Sequence, residues 1–140
     1  MKVVNKPQVY FEPGKYWIGD LCYVMEDKWD EVCNAMIDGH DVKEGGFVLK
    51  DGTEFAMFNT AWGDGIYFDD SGHEYPVDSG GIGIIKFDDV TAANVHVELG
   101  RIVEFKSPFI AENVDGIIYF GKLSINTDPS YEDEEEYDDE

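Results

Sequence analysis

Apolar and polar residues alternate most clearly in residues 60–85, on either side of a short polar segment. That segment, Asp70-Ser71-Gly72, contains a glycine, which accepts positive φ, and two residues whose side chains form hydrogen bonds within turns. Alternation around such a turn predicts a β-hairpin. A third strand over residues 82–87 is expected to follow and to bury Ile82, Ile84 or Ile85. The alternating apolar residues of the hairpin are Ile66, Phe68, Tyr75 and Val77.

A single segment has the 3.6-residue periodicity of an amphipathic helix. We expect Asp27 to cap its first turn and Gly39 to end it. Cys33 lies on the apolar face, where a cysteine behaves as a small core residue more often than as a reactive thiol. The residues of this face are Trp29, Val32, Cys33, Met36 and Ile37.

Short apolar segments elsewhere bring the expected total to roughly six to ten strands. Residues 9–11 are expected to form an edge strand because prolines flank them. Residues 95–99 alternate cleanly and predict another strand. This pattern indicates a β-rich α+β single domain, built as a twisted antiparallel sheet or a partly open barrel with one amphipathic helix. The other predicted strands lie in residues 15–18, 47–49, 55–58, 101–105, 108–110 and 116–125.

Acidic residues dominate the composition: the 140 residues include 31 Asp and Glu but only 10 Lys and Arg, for a net charge of −21. Nine of the acidic residues fall in residues 126–140, which contain no Lys or Arg. Such a segment cannot bury enough apolar surface to offset the entropy of ordering. We therefore expect a globular domain over residues 1–125 and a disordered acidic tail over residues 126–140. The domain retains a net charge of −12, so its own surface is acidic.

The charge restricts the classes of partner. Nucleic acid and anionic lipid repel an acidic surface, so we expect no direct binding to nucleic acid or to membranes. No apolar run approaches the roughly 18 residues that span a bilayer, and residues 1–10 lack the apolar core of a signal peptide. The expectation is a cytoplasmic protein in which Cys22 and Cys33 are reduced thiols. We expect it to need no cofactor and no metal.

Surface carboxylates are the first candidate site, because an acidic surface attracts basic proteins. Duplex DNA carries about one charge per 1.7 Å of its axis, and carboxylates at similar spacing would occupy a DNA-binding groove and displace the nucleic acid. A solvated surface, or adaptation to high salt, explains the same composition without a partner. The candidate partner-binding residues are Asp64, Asp69, Asp70, Glu74, Asp88, Asp89, Glu132, Asp133, Glu134, Glu135 and Glu136.

A carboxylate cluster is the alternative site. Asp20, Asp64 and Asp78 each lie at the end of a predicted strand, close to a glycine, which is a position suited to a catalytic or metal-binding carboxylate. Oxygen ligands suit Mg²⁺, Ca²⁺ or Mn²⁺, and His73 or Cys22 are further candidate members. Ordinary turn chemistry explains the same pairs of Asp and Gly.

Nucleophilic catalysis is a further candidate. Cys22 or Ser79 would need an activating histidine, and the chain has histidines at positions 40, 73 and 96. The segment VDSGG does not match the G-x-S-x-G motif of serine hydrolases, and no other member of a triad is identifiable.

The chain resembles a family of small, uncharacterised proteins from tailed bacteriophages and bacteria in four runs: YWIGDLCYVM, WDEVC, TAWGDGIY and YPVDSGGIGII. The match covers about residues 14–86 and, more loosely, the run GRIVEF. The usual family motif reads Gly-Asp-Pro-Cys-Tyr, and Leu21 stands at its proline position here. The resemblance implies a phage setting and carries no catalytic residues. The run YEDEEEYDDE also looks like the acidic C-termini of phage DNA-mimic antirestriction proteins, whose bodies are mainly helical.

Three hypotheses follow. The first is a phage-type accessory protein, not an enzyme, in the host cytoplasm. It would bind and inhibit a basic host protein, such as a nucleic-acid-handling or defence enzyme, as a mimic of nucleic acid. The second is a small-ligand or metal-dependent, nucleotide-directed protein that uses Asp20, Asp64 and Asp78. The third is a component of the virion.

Overall fold

The computed structural model describes residues 2–5, 8–39, 41–90 and 95–128. These residues form fourteen β-strands and one α-helix, and the strands build two large antiparallel sheets that do not close into a barrel. The predicted β-rich α+β class with one helix is therefore confirmed. The elements are β1 (Lys2–Asn5), β2 (Gln8–Phe11), β3 (Gly14–Gly19), α1 (Trp29–Met36), β4 (Ile37–Asp38), β5 (Asp41–Val42), β6 (Gly45–Val48), β7 (Glu54–Asn59), β8 (Gly65–Asp69), β9 (Glu74–Val77), β10 (Gly81–Lys86), β11 (Arg101–Phe105), β12 (Phe109–Val114), β13 (Ile117–Phe120) and β14 (Leu123–Asn126).

Strands that are neighbours in the sheets are often distant in the chain. The seven-stranded sheet has the order β1-β2-β12-β13-β14-β8-β9, and the five-stranded sheet has the order β11-β3-β10-β7-β6. Strands β4 and β5 form a separate two-stranded ribbon. Strand β2 pairs with β1 on one side and with β12 on the other, where Phe11 lies opposite Phe109. The expectation that residues 9–11 form an edge strand is therefore wrong.

The five-stranded sheet is the middle layer, because both of its faces are buried. Tyr16 and Ile18 of β3 belong to a core shared with the seven-stranded sheet, whereas Trp17 belongs to a second core shared with α1. This division follows from the alternation of side chains along a strand. The three isoleucines of β10 are divided in the same way and are all fully buried. Burial on both faces explains why β10 is a continuous apolar run in the sequence.

The predicted hairpin of residues 60–85 is present as β8 and β9, and β10 follows it. Tyr75 and Val77 are buried, as their alternation indicated. Ile66 and Phe68 are instead 60% and 47% exposed, because β8 turns its other residues toward the core. The second predicted hairpin, in residues 47–58, is present as β6 and β7.

Helix α1 is shorter than predicted and begins without the expected cap. It ends at Met36, because the backbone of Ile37 is extended and starts β4. Val32 and Met36 are buried, but Ile37 is 51% exposed and does not belong to the buried face. Asp27 lies in a 3-10 turn before the helix, and Lys28, at the capping position, makes no side-chain cap hydrogen bond.

Two further expectations differ from the structure. Residues 97–99 form a 3-10 turn instead of a strand. The C-terminal boundary of the folded body lies later than predicted, since Asn126 completes β14 and Thr127 is 1% exposed. Residues 129–140, which contain most of the predicted acidic tail, lie outside the described residues. In the described ranges, no helix has the length and apolar character needed to cross a membrane.

Candidate functional site

The carboxylate of Asp20 is fully buried and joins two loops. It follows the last residue of β3, and the backbone N–H of Cys22 turns back to donate to its Oδ1 at 3.1 Å. Ser79 donates its hydroxyl to Oδ1 at 2.6 Å and its backbone N–H to Oδ2 at 2.7 Å. The backbone N–H of Asp78 donates to Oδ2 at 2.8 Å. Each oxygen thus accepts two hydrogen bonds, which fills the usual capacity of a carboxylate. We call this arrangement the Asp20 junction.

The structure brings the three carboxylates of the alternative site into one region. Burial raises the pKa of Tyr23, and the charges of Cys22, Asp20, Asp78 and Asp64 raise it further. Asp64 and Asp78 are exposed, whereas Asp20 is enclosed. Among the described residues, no group of three or more His, Cys, Asp or Glu side chains is placed to hold a metal ion. The Asp20 junction is therefore arranged as a structural anchor.

The candidate nucleophiles lack an activating histidine. Burial and the charge of Asp20 raise the pKa of the Cys22 thiol far above its usual range, so the reactive thiolate is scarce. The Ser79 hydroxyl donates directly to the Asp20 carboxylate. His73 lies elsewhere, with its Nε2 3.0 Å from the carbonyl oxygen of Gly100. In the part of the chain that the structure describes, no histidine is hydrogen bonded to either nucleophile; residue 40 lies outside that part.

Asp69 is a second buried anchor. Its Oδ1 accepts from the backbone N–H and hydroxyl of Ser71, at 2.9 and 2.7 Å, and from the backbone N–H of His73 at 3.0 Å. Its Oδ2 accepts from the hydroxyl of Tyr75 and from Nη1 of Arg101, both at 2.7 Å. Burial by itself raises the pKa of Asp69, but these hydrogen bonds outweigh burial and hold it well below its usual range. The expectation that Asp69 lies on an exposed partner-binding surface is wrong, because its side chain is 0% exposed.

Arg101 is a site residue that the sequence interpretation missed. Its Nη1 donates to Oδ2 of Asp69 and, at 3.1 Å, to the hydroxyl of Ser71. Because Arg101 begins β11, this pair ties the β8–β9 turn to the five-stranded sheet. The available signal was that the chain has one arginine against 31 acidic residues. Arginine is the side chain preferred for partly buried ion pairs.

Three of the predicted partner-binding residues, Asp64, Asp70 and Glu74, are exposed on the β8–β9 hairpin, and so is Asp78 of the alternative site. We call this set the acidic hairpin. Asp64 and Asp78 flank its open end, whereas Asp70 and Glu74 lie near its turn. Strand β9 is the outermost strand of the seven-stranded sheet, so Glu74 and Asp78 lie at a sheet edge, whereas Asp64 and Asp70 lie at the two ends of the neighbouring strand β8. The ends of β8 are about 14 Å apart at about 3.4 Å per residue. None of the four forms an ion pair with another described residue.

The other predicted partner-binding residues do not join the acidic hairpin. Asp88 and Asp89 lie in a 3-10 turn after β10, where Asp88 is exposed and Asp89 is half-buried. The charge of Asp89 acts on Lys28 beside α1, which places this pair near the helical layer. The tail residues Glu132, Asp133, Glu134, Glu135 and Glu136 lie outside the described residues.

No protein-family model, curated protein or solved structure matches the chain. Function is therefore inferred from the geometry of the chain itself. Asp20 and Asp69 are buried anchors whose oxygens already accept several hydrogen bonds. The acidic hairpin differs from both, because its four carboxylates face solvent.

Proposed function

We propose that the chain is a phage-type acidic accessory protein that binds a basic protein through the acidic hairpin. The observation that carries the proposal is the exposure of all four carboxylates at the strand ends of one hairpin, whose strand β9 is the edge of its sheet. Because none of them is paired with a cation of the described residues, their field extends into solvent. The phage setting is taken from the sequence resemblance.

The net charge of −21 adds to the field of the acidic hairpin. Like charges destabilise a compact protein by repelling one another. A partner rich in Lys and Arg relieves this repulsion when it binds, and it is attracted across a distance of about 8 Å at physiological ionic strength. Complementary charge of this kind raises association rates and selects partners. A basic surface is therefore the proposed target.

A nucleic-acid-binding protein is the proposed class of target, since its groove is a basic surface that accommodates a row of phosphates. The acidic hairpin offers carboxylates at both of its ends, which are about 14 Å apart. Binding in such a groove would exclude nucleic acid, so the target would be inhibited by competition. This activity requires no catalytic step from the chain.

The second hypothesis, a ligand or metal site at Asp20, Asp64 and Asp78, has less support from the geometry. The oxygens of Asp20 already accept four hydrogen bonds, which leaves them no open position for a ligand. That hypothesis predicts that Asp64→Asn alone abolishes function, whereas the acidic hairpin predicts a partial loss for each charge removed. The virion hypothesis is tested separately, by searching purified particles for peptides of this chain.

The first experiment identifies the target. Immobilised full-length protein is incubated with bacterial lysate and washed at low and at high salt. We expect a nucleic-acid-binding protein that is retained at low salt and released at high salt, because salt screens exposed charge pairs. The purified target is then mixed with labelled duplex DNA or RNA, and displacement of the nucleic acid by the full-length chain is measured.

Two variants with the same change in charge locate the surface. The test variant carries Asp64→Asn, Asp70→Asn, Glu74→Gln and Asp78→Asn. The control variant carries Glu12→Gln, Glu26→Gln, Asp30→Asn and Asp115→Asn, at exposed positions outside the hairpin. We expect the test variant to weaken displacement by about tenfold or more and the control by less than about threefold. Equal weakening would overturn the assignment to the hairpin, and so would a target whose binding is insensitive to salt.

A further inference from the structure

A cleft of about 590 Å³ opens between β11 and the turns that follow β8 and β13. Its volume lies in the range of pockets that hold small molecules, about 300–1,000 Å³. The residues of the Asp20 junction do not line it, and Asp70 is its one residue in common with the acidic hairpin. Its chemistry is therefore separate from the surface discussed above.

Basic residues outnumber acidic residues in the lining of the cleft, whereas acidic residues dominate the chain as a whole. Arg101, Lys106 and Lys122 line the cleft, which places three of the ten basic residues around one cavity. Only two of the 31 acidic residues, Asp70 and Glu104, line it as well. Neither lysine forms an ion pair with any residue in the described ranges. Because Arg101 is already paired with Asp69, the two lysines are the cations that indicate a site for an anion in a chain of net charge −21.

Arg101 is held in place before any ligand arrives. Its Nη1 is fixed by Asp69 at 2.7 Å and by Ser71 at 3.1 Å, and its side chain remains 37% exposed. A guanidinium group has five N–H donors in one rigid plane, so donors remain for a ligand in the cleft. A donor group that is already ordered loses less entropy when a ligand binds, which favours affinity.

Besides its basic side chains, the cleft has an aromatic wall formed by two phenylalanines. The rings of Phe105 and Phe109 are stacked, with centroids 3.7 Å apart and planes inclined by 16°. Val103 and Leu123 add aliphatic surface to the lining. An inorganic ion would make no use of this wall, whereas a flat ring would bury apolar area against it. The combination fits a ligand with an anionic group and an aromatic body.

We propose that the cleft binds a small organic phosphate, in which a phosphate group is joined to a flat ring system the size of a mononucleotide. Arg101, Lys106 and Lys122 hold the phosphate, and the hydroxyl of Ser107 adds a donor. The ring system packs on the wall that contains Phe105. A phosphate monoester carries a charge of about −1.5 to −2 at pH 7, which matches the charge of the two lysines better than the single charge of a carboxylate ligand would, while Arg101, paired with Asp69, contributes its remaining N–H donors.

The test is calorimetric titration of the full-length protein with adenosine monophosphate, adenosine and inorganic phosphate. We expect saturable binding of adenosine monophosphate with a Kd of about 1 mM or tighter. Adenosine and inorganic phosphate are each expected to bind at least about tenfold more weakly. Glu104→Gln is expected to strengthen binding, because it removes a negative charge from the lining. Arg101 is left unchanged, since it also holds Asp69.

Matched lysine variants decide whether the cleft is the site. Lys106→Met and Lys122→Met are each expected to weaken mononucleotide binding by about fivefold or more. Lys50→Met makes the same change in charge at an exposed lysine outside the cleft and is expected to have no effect. The proposal is overturned by the absence of saturable binding, or by an equal loss in Lys50→Met. It is also overturned if adenosine or inorganic phosphate binds as tightly as the mononucleotide.

Discussion

The hydroxyl of Ser79 donates a 2.6 Å hydrogen bond to Oδ1 of Asp20, a residue 59 positions earlier in the chain. Asp20 follows β3 of the five-stranded sheet, whereas Ser79 lies between β9 of the seven-stranded sheet and β10 of the five-stranded sheet. The bond therefore lies where the chain passes from one sheet to the other. Because the carboxylate also accepts three backbone N–H groups, it holds both loops in one arrangement.

Asp20→Asn is expected to lower the free energy of unfolding by about 3 kcal/mol, because an amide nitrogen would face buried N–H donors and leave them unsatisfied. Ser79→Ala removes one of the four hydrogen bonds and is expected to cost about 1.5 kcal/mol. Urea unfolding followed by tryptophan fluorescence measures both values.

Asp78→Asn is the matched control, since the Asp78 side chain is exposed and its backbone N–H is unchanged. We expect it to change stability by less than about 0.5 kcal/mol. If Asp20→Asn is as mild as Asp78→Asn, the Asp20 junction is not a structural anchor.

Sequence periodicity identified two hairpins and the buried face of β9, but not the buried face of β8 or the pairing of strands distant in the chain. The alternation of Tyr75 and Val77 correctly indicated burial. The turn at Asp20 could also be predicted from the sequence, because the hydrogen bond from the backbone N–H of Cys22 to the Asp20 side chain spans only two residues. The bonds of Asp20 to Asp78 and Ser79 could not be predicted in this way, because they depend on how distant strands are arranged. The same reason applies to the Asp69–Arg101 pair, whose members are 32 residues apart.

Residues 95–99 show the limit of alternation as evidence for a strand. A strand needs a neighbour for its backbone groups, and the alternating pattern does not supply one. Here the carbonyl oxygen of Val97 accepts from Nε1 of Trp17 at 2.9 Å, and the backbone N–H of His96 donates to Tyr23 at 3.0 Å. These bonds to a side chain and a loop take the place of a strand ladder.

Asp69 is expected to make stability depend on acidity. Its hydrogen bonds hold its pKa below the value of about 3.9 for an unfolded chain. A lowered folded-state pKa contributes stability that is fully present above the unfolded value and is lost as the pH falls toward the folded one. Asp69→Asn should therefore be less stable than the natural chain by about 3 kcal/mol at pH 7, and the gap should narrow below about pH 4.

The other carboxylates also make stability depend on pH, because their mutual repulsion weakens in acid. Comparing Asp69→Asn with Asp70→Asn separates the contribution of Asp69 from theirs. Urea midpoints are measured for the natural chain, Asp69→Asn and Asp70→Asn at several values between about pH 7 and pH 3. Because Asp70 is exposed, the urea midpoint of Asp70→Asn should change with pH in the same way as that of the natural chain. If the difference in stability between the natural chain and Asp69→Asn stays constant down to about pH 3, the pKa of Asp69 is not lowered in the folded protein.

Cys22 is expected to react slowly with alkylating reagents. Burial, with the charges of Asp20 and Asp78, raises the pKa of its thiol far above its usual range, and burial raises the pKa of Cys33 as well. Since the thiolate is the nucleophile, both should be alkylated at least about tenfold more slowly than in urea-unfolded protein, with Cys22 the slower. Peptide mass spectrometry after iodoacetamide treatment at pH 8 measures the rates.

Asp78→Asn is expected to speed the alkylation of Cys22 because it removes a neighbouring negative charge. Asp115→Asn removes the same charge in the turn between β12 and β13, where the carboxylate is not among the charges that raise the pKa of Cys22, and should leave the rate unchanged. If native Cys22 reacts as fast as it does in the unfolded chain, the environment assigned to it is wrong.

Gly83→Ala tests the close packing of the middle layer. A Cβ atom at this position would collide with the carbonyl oxygen of Ala56 and would lie 2.8 Å from Cδ1 of Leu21. The carbonyl belongs to β7, which pairs with β10, so it cannot move away without disturbing the ladder. We expect the free energy of unfolding to fall by about 3 kcal/mol, as overpacking in a dense core commonly costs 1–3 kcal/mol.

Gly52→Ala separates this collision from the ordinary cost of replacing a glycine. Gly52 has a φ of +91° and open space around its Cα, so alanine there meets backbone strain but no neighbour. Its expected cost is about 1 kcal/mol, as for other residues forced to positive φ. Urea unfolding should therefore rank Gly83→Ala well below Gly52→Ala in stability. Equal costs would show that the space between β10 and β7 accommodates a methyl group, which would contradict the packing described for the middle layer.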